Sequence, residues 1–116
     1  MSRIGDTPFQ RGDVVWHKAP FKDEKKRPFV VVSDDSRPFH GEEYTVVALT
    51  TSAKDETIAL NSSDWLFGEM DEQSHASPWF AFTIKHSRIA APQGSLTEDA
   101  TNRIATAAAR NFGLDP

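Results

Sequence analysis

The stretch Arg27-Pro28-Phe29-Val30-Val31-Val32-Ser33 constrains the fold more than any other. β-branched side chains pack well on a pleated surface and are crowded in a helix. Phe29 to Val32 is an unbroken apolar run. It leaves no polar side for water, so the strand it forms must be buried on both faces. Pro28 has no amide to donate to a ladder, which confines it to the start of the strand. It also holds Arg27 extended. The chain is therefore expected to be built around a central strand whose entrance carries a guanidinium.

Shorter segments of the same kind flank it. Val14 to His17 follows the turn signal Gly12-Asp13, Tyr44 to Leu49 leads into Thr50-Thr51-Ser52, and Thr57 to Leu60 alternates. Pro78 to Lys85 sets Trp79, Ala81 and Thr83 against Phe80, Phe82 and Ile84, which predicts that both faces are partly buried. Ser62 to Trp65 suggests one helical turn, Gly68 to Ser77 an exposed loop, and His86 to Pro92 the close of a hairpin. Met1 to Gln10 is polar and reads as a flexible arm. A single segment has a helical period: Leu96, Ala100, Ile104, Ala108 and Phe112 form one apolar face. Ser95-Leu96-Thr97-Glu98 matches a capping box, and Gly113 can end the helix in the left-handed region. Five or six short strands followed by one helix predict a mainly β fold, a small barrel or two packed curved sheets.

At 116 residues the chain holds one core, so a single domain over 1–116 is expected. It has no cysteine, hence no disulfide or thiolate metal site. No secretory signal and no bilayer-spanning run is visible, which predicts a soluble, cytoplasmic protein without membrane contact. The net charge of −4 argues against a protein that coats nucleic acid. Lys18 to Arg27 nevertheless carries five basic residues against Asp23 and Glu24, a local +3 on a remainder of −7. Such a segment is either a solvated loop or an attractor for phosphate.

The hydrolytic motifs are missing. His17, His40, His75 and His86 are scattered without metal-ligand spacing, and there is no nucleophile elbow or phosphate-cradling glycine loop. No metal and no cofactor is expected. What remains is Arg27 at one strand end and Thr50, followed by Thr51 and Ser52, at another. A guanidinium beside a hydroxyl cluster suits a phosphate. Solvated arginine and ordinary strand-end threonines are the competing interpretation.

Three segments resemble the PemK/MazF family of toxins: Arg11-Gly12-Asp13-Val14-Val15-Trp16, Arg27 to Asp34, and Val46-Val47-Ala48-Leu49-Thr50-Thr51-Ser52. Their order and separation agree with the family from Arg11 to about Ser52. The resemblance implies an SH3-like barrel, a homodimer, cleavage of single-stranded RNA at chosen sequences, and a cognate antitoxin that blocks the RNA groove. It carries the catalytic roles to Arg27 and Thr50, with Lys25, Lys26, Thr51, Ser52 and His17 expected around the RNA.

RNA brings its own nucleophile, the 2′-hydroxyl, so the chemistry needs no metal. An arginine stays protonated and cannot serve as base. It suits electrostatic stabilisation of the phosphate, worth roughly 3–4 kcal/mol per donor. Thr50 is then expected to position the phosphate or the 2′-hydroxyl, and the base is to be sought at His17 or Glu24. The loop before Arg27 departs from the family. It is short, with Lys22-Asp23-Glu24-Lys25-Lys26 where many members carry a longer RNA-contacting segment. The alternative function is a non-catalytic SH3-like binding module, or a toxin of the same barrel that inhibits a topoisomerase. Three tryptophans and eight phenylalanines exceed what one small barrel readily hides, in keeping with an apolar subunit interface.

Overall fold

The computed structural model describes residues 7–18 and 25–116. Seven strands and one helix follow in the order β1 (Asp13–Lys18), β2 (Lys26–Val31), β3 (Glu43–Thr50), β4 (Ile58–Leu60), β5 (Trp65–Gly68), β6 (Ser74–Lys85), β7 (Ala91–Leu96) and α1 (Glu98–Arg110). Short 3-10 turns occupy Ser62–Asp64 and His86–Arg88. The strands form one nearly closed, barrel-like antiparallel sheet in the order β4-β6-β3-β2-β1-β7-β5. The mainly β architecture with a C-terminal helix is thus as expected, with seven strands in place of five or six.

β2 is the middle strand, and Phe29, Val30 and Val31 are at most 2% exposed. Its neighbours split between two cores by the two-residue period of a strand. Val14, Val30, Val47 and Leu49 face α1 and pack with Ala100, Ile104 and Ala108. Val15, Phe29, Val31 and Val46 face the other way and pack with Tyr44, Ile84 and Ile89. A sheet buried on both faces is what an unbroken apolar run requires.

Several boundaries differ from expectation. Ser95 and Leu96 belong to β7, and the helix is capped by Thr97, whose hydroxyl oxygen accepts the Ala100 amide at 3.1 Å. Ser95 is recruited by pairing with Asp13 and Phe67, and a ladder outweighs a cap. Ala100, Ile104 and Ala108 are buried as predicted, whereas Phe112 lies past the last turn and is 69% exposed. Gly113, at φ +84°, ends the helix. Gly68 to Ser77 is only partly a loop: β6 begins at Ser74 and pairs with both β3 and β4, burying Ser74, Ala76 and Ser77. Trp79 and Phe80 are 40% and 38% exposed while Ala81 and Phe82 are half-buried and Ile84 is buried, so both faces of this strand are partly buried, as expected. Within the basic segment, residues 19–24, with Lys22, Asp23 and the candidate base Glu24, lie outside the described residues.

At the rim of the second core, Phe9 packs edge-on against Tyr44, and its amide donates to the Tyr44 hydroxyl at 3.0 Å. That hydroxyl also lies 2.7 Å from His86 Nδ1. Burial pushes the Tyr44 phenol above its ordinary pKa of 10.0, an effect the Phe9 hydrogen bond only partly offsets. Tyr44 is the sole tyrosine of the chain, so absorbance at 295 nm reports it alone. In a spectrophotometric titration the folded protein is expected to ionise above pH 10.0 and the urea-unfolded chain at that value. The raised folded pKa means the contribution is intact below pH 10.0 and is lost as pH rises through the folded value. Superimposable titrations would contradict it.

Candidate functional site

The ladders that build the sheet also align four polar side chains across it. In β1–β2, His17 stands opposite Arg27. In β2–β3, Phe29 stands opposite Ala48, and continuing that register by two residues sets Arg27 opposite Thr50. In β3–β6, Thr50 stands opposite His75. Directly opposed residues of an antiparallel pair project to the same face. His17, Arg27, Thr50 and His75 therefore form a transverse row at one end of the sheet. The next row inward, Val15-Phe29-Ala48-Ser77, is the floor beside it.

Two concavities meet on this row and share Arg27, Leu49, Thr50 and Ser52. The first, of about 280 Å³, is floored by Phe29 and Ala48 and walled by Lys54, Ser77, Trp79 and Phe80. Its charged lining is Arg27 and Lys54, with no carboxylate. The second, of about 310 Å³, adds Lys25, Lys26 and Thr51 on one side and Asp71 and Glu72 on the other. Six of the seven predicted site residues are thus brought together: Arg27 and Thr50 at the junction with Ser52, and Lys25, Lys26 and Thr51 around the second concavity.

His17 is the exception. It stands in the row but, like His75, lines neither concavity. Its Nδ1 lies 2.5 Å from the Lys18 carbonyl, which can only accept, so in the neutral ring Nδ1 carries the hydrogen. Nε2 is buried without a hydrogen-bond partner among the described residues, and the ring sits edge-on against Phe29.

The geometry of the two central residues is specific. Arg27 is held extended in β2, and its Nε is buried with no acceptor among the described residues. A buried donor left unpaired costs about 1–3 kcal/mol, which an incoming oxyanion would recover. Thr50 ends β3, and its Oγ1 accepts the Ser52 amide at 3.1 Å. That bond turns the chain back and engages an oxygen lone pair, leaving the hydroxyl hydrogen to donate. The junction can therefore hold a phosphate by charge-assisted and neutral donors at once. Among the described residues no group of three or more His, Cys, Asp or Glu is placed to hold a metal ion.

Sequence reasoning missed Lys54, His75, Trp79 and Phe80. Pro78 offered a signal, since proline inside an alternating run marks an edge or a bulge. The β3–β6 register indeed slips between Val47, opposite Ala81, and Ala48, opposite Ser77, so Pro78, Trp79 and Phe80 are looped out of the ladder. His75 had no such signal, because its place beside Thr50 exists only through pairing over a long separation.

The model of the PemK-like, MazF-like toxins of type II toxin–antitoxin systems matches residues 10–112. Among solved structures, one titled as an endoribonuclease in complex with its cognate antitoxin from mycobacterial species is similar at a TM-score of 0.72. It is 24% identical over 94% of this chain and 97% of that one. The Mycobacterium tuberculosis toxin MazF-mt6 gives a TM-score of 0.64 at 21% identity, over 88% of this chain and 99% of that one. A MazE–MazF structure from Deinococcus radiodurans gives 0.70 at 14% identity, over 95% of this chain and all of that one. At such identities these likenesses establish the fold. The comparison with curated proteins returns no match.

Proposed function

The chain belongs to the family of PemK-like, MazF-like toxins of type II toxin–antitoxin systems, and from that premise we propose that it is an endoribonuclease that cleaves single-stranded RNA at the Arg27–Thr50 junction. The observation that carries this is the buried Arg27 Nε–H, which has no acceptor among the described residues, at the meeting of two cation-lined concavities that also share Thr50, whose Oγ1 accepts the Ser52 amide. In this mechanism the 2′-oxygen attacks phosphorus and gives up its proton. The bond to the 5′-oxygen breaks, that oxygen takes a proton from solvent, and the upstream fragment ends in a 2′,3′-cyclic phosphate. Arg27 neutralises the charge that builds on the phosphoryl oxygens, the kind of fixed donor whose removal costs most in such reactions. Thr50 donates to the same phosphate and fixes its orientation. The nucleophile comes from the substrate, the phosphate is held by these two residues and the leaving oxygen is protonated by solvent, so the step as written uses no metal. We assign proton acceptance to His75, the imidazole opposite Thr50 in the ladder.

The same proposal includes sequence selectivity, a cognate antitoxin as inhibitor, a cytoplasmic site of action and a homodimer. Support for an apolar interface comes from Leu66 and Phe67 on edge strand β5, which are 70% and 62% exposed in the single chain. Among the described residues no helix is long and apolar enough to cross a membrane. The proposal is tested by incubating purified protein with a long mixed-sequence RNA, with and without EDTA, and mapping the new ends. Discrete cuts at a recurring sequence, unchanged by EDTA, are expected. Intact RNA would favour a non-catalytic binder with the same barrel.

A further inference from the structure

The bulge in β6 places an aromatic side chain where the cleavage chemistry does not call for one. Pro78, Trp79 and Phe80 leave the β3–β6 ladder opposite the Val47–Ala48 step. Bulges bend a strand and re-aim its side chains. Here the consequence is a tryptophan that lines the first concavity together with Arg27 and Thr50, yet remains 40% exposed. Among the described residues this ring belongs to neither of the two core clusters, so its exposed apolar surface is free to be covered by a ligand.

We propose that Trp79 is a nucleobase-binding residue: its ring stacks on the base of a nucleotide adjacent to the phosphate held by Arg27 and Thr50. The inference rests on the RNA-cleavage reading and adds to it the subsite that holds a base. Three observations favour a nucleic acid over a protein partner here. The concavity carries two cations and no carboxylate on a chain whose net charge is −4. Its hydroxyl groups, from Thr50, Ser52 and Ser77, are small donors of the kind that meet phosphate and ribose oxygens. An aromatic face beside a cationic track is how single strands are held, since every base has a face to stack.

The test uses the oligonucleotide that contains the mapped cut site. A 2′-deoxy substitution at the attacking nucleotide lets it bind without being cut. Affinity is read by fluorescence anisotropy for the wild type, Trp79→Ala, Trp79→Leu and Trp79→Phe, each checked for an unchanged melting temperature. Loss of the ring in Trp79→Ala or Trp79→Leu is expected to weaken binding roughly 5- to 150-fold, the range of a lost base–aromatic stack, while Trp79→Phe stays near wild type. Removing the base at one position next to the cut should weaken wild-type binding by a similar factor and leave Trp79→Ala nearly unaffected. Equal affinities for all four proteins, or an abasic penalty that persists in Trp79→Ala, would overturn the assignment. So would a Trp79→Ala protein that binds RNA normally but fails to self-associate or to take up an antitoxin, because the residue then belongs to a protein interface. A wild type that neither cuts nor binds RNA defeats the cleavage reading itself. A wild type that does both while Trp79→Ala matches it defeats only the stacking assignment.

Discussion

Arg27→Ala is expected to slow RNA cleavage about 10²–10³-fold, the cost of removing a fixed donor from a developing oxyanion. The substitution sits at the entrance of β2, where the side chain is half-buried, so the sheet should survive it. It also removes a buried donor that has no acceptor among the described residues. Stability is therefore expected to change little or to rise slightly, while the rate collapses. Opposite signs for stability and activity mark a group kept for chemistry and not for packing. Arg27→Lys separates charge from geometry. A point charge on a flexible stem replaces the planar fork, and partial activity is expected. Single-turnover rates with the mapped substrate and urea unfolding of the same preparations measure both. Growth arrest that survives Arg27→Ala in cells would point to the non-catalytic alternative.

The second large effect is at His75. It faces Thr50 across the β3–β6 ladder and is flanked on its other side by Ala59 of β4. If it takes the 2′-hydroxyl proton, His75→Gln should lower the rate about 10²–10⁴-fold. Glutamine keeps hydrogen-bonding capacity but cannot accept a proton at neutral pH. The shape of the pH–rate profile is the decisive readout. The variant should differ from wild type in the shape of that profile, because it lacks the group that takes the proton. A variant slowed without a change of profile makes His75 a positioning residue. A variant as fast as wild type returns the search for the base to His17 or Glu24.

How much of this could be read beforehand depended on whether the cause was local. β2 was legible because Phe29 to Val32 can only be buried on both faces, and it occupies the middle of the sheet. The helix was legible from Ala100, Ile104 and Ala108. β7 was not, because Ala91-Pro92-Gln93-Gly94-Ser95-Leu96 has neither alternation nor β-branched residues. It is a strand because β1 and β5 pair with it. Gly94 makes the second pairing possible, since a Cβ there would lie 2.6 Å from the Phe67 carbonyl oxygen and 3.0 Å from Gly68 Cα. β5 depends on the same partner and was missed with it.

The site followed the same division. Arg27 and Thr50 could be singled out because each stands at the end of a strand that is plain in the sequence, and Thr51, Ser52, Lys25 and Lys26 are their chain neighbours. Lys54 and Trp79 reach the first concavity through a turn and a bulge, and His75 comes opposite Thr50 through a ladder, none of which leaves a periodic trace. His17 was placed in the correct strand. Its ring lies against Phe29, with Nδ1 near the Lys18 carbonyl, and that orientation is set by side-chain packing beyond the reach of sequence pattern.

The chemistry of the new RNA ends tests the central claim most directly. RNA cut in the presence of EDTA by wild type and by Arg27→Ala, side by side, is analysed by mass spectrometry. A 2′,3′-cyclic phosphate on the upstream fragment from wild type, with almost no product from Arg27→Ala, is the predicted result. A 3′-hydroxyl facing a 5′-phosphate, or equal cutting by the variant, would contradict attack by the 2′-hydroxyl at a phosphate held by Arg27.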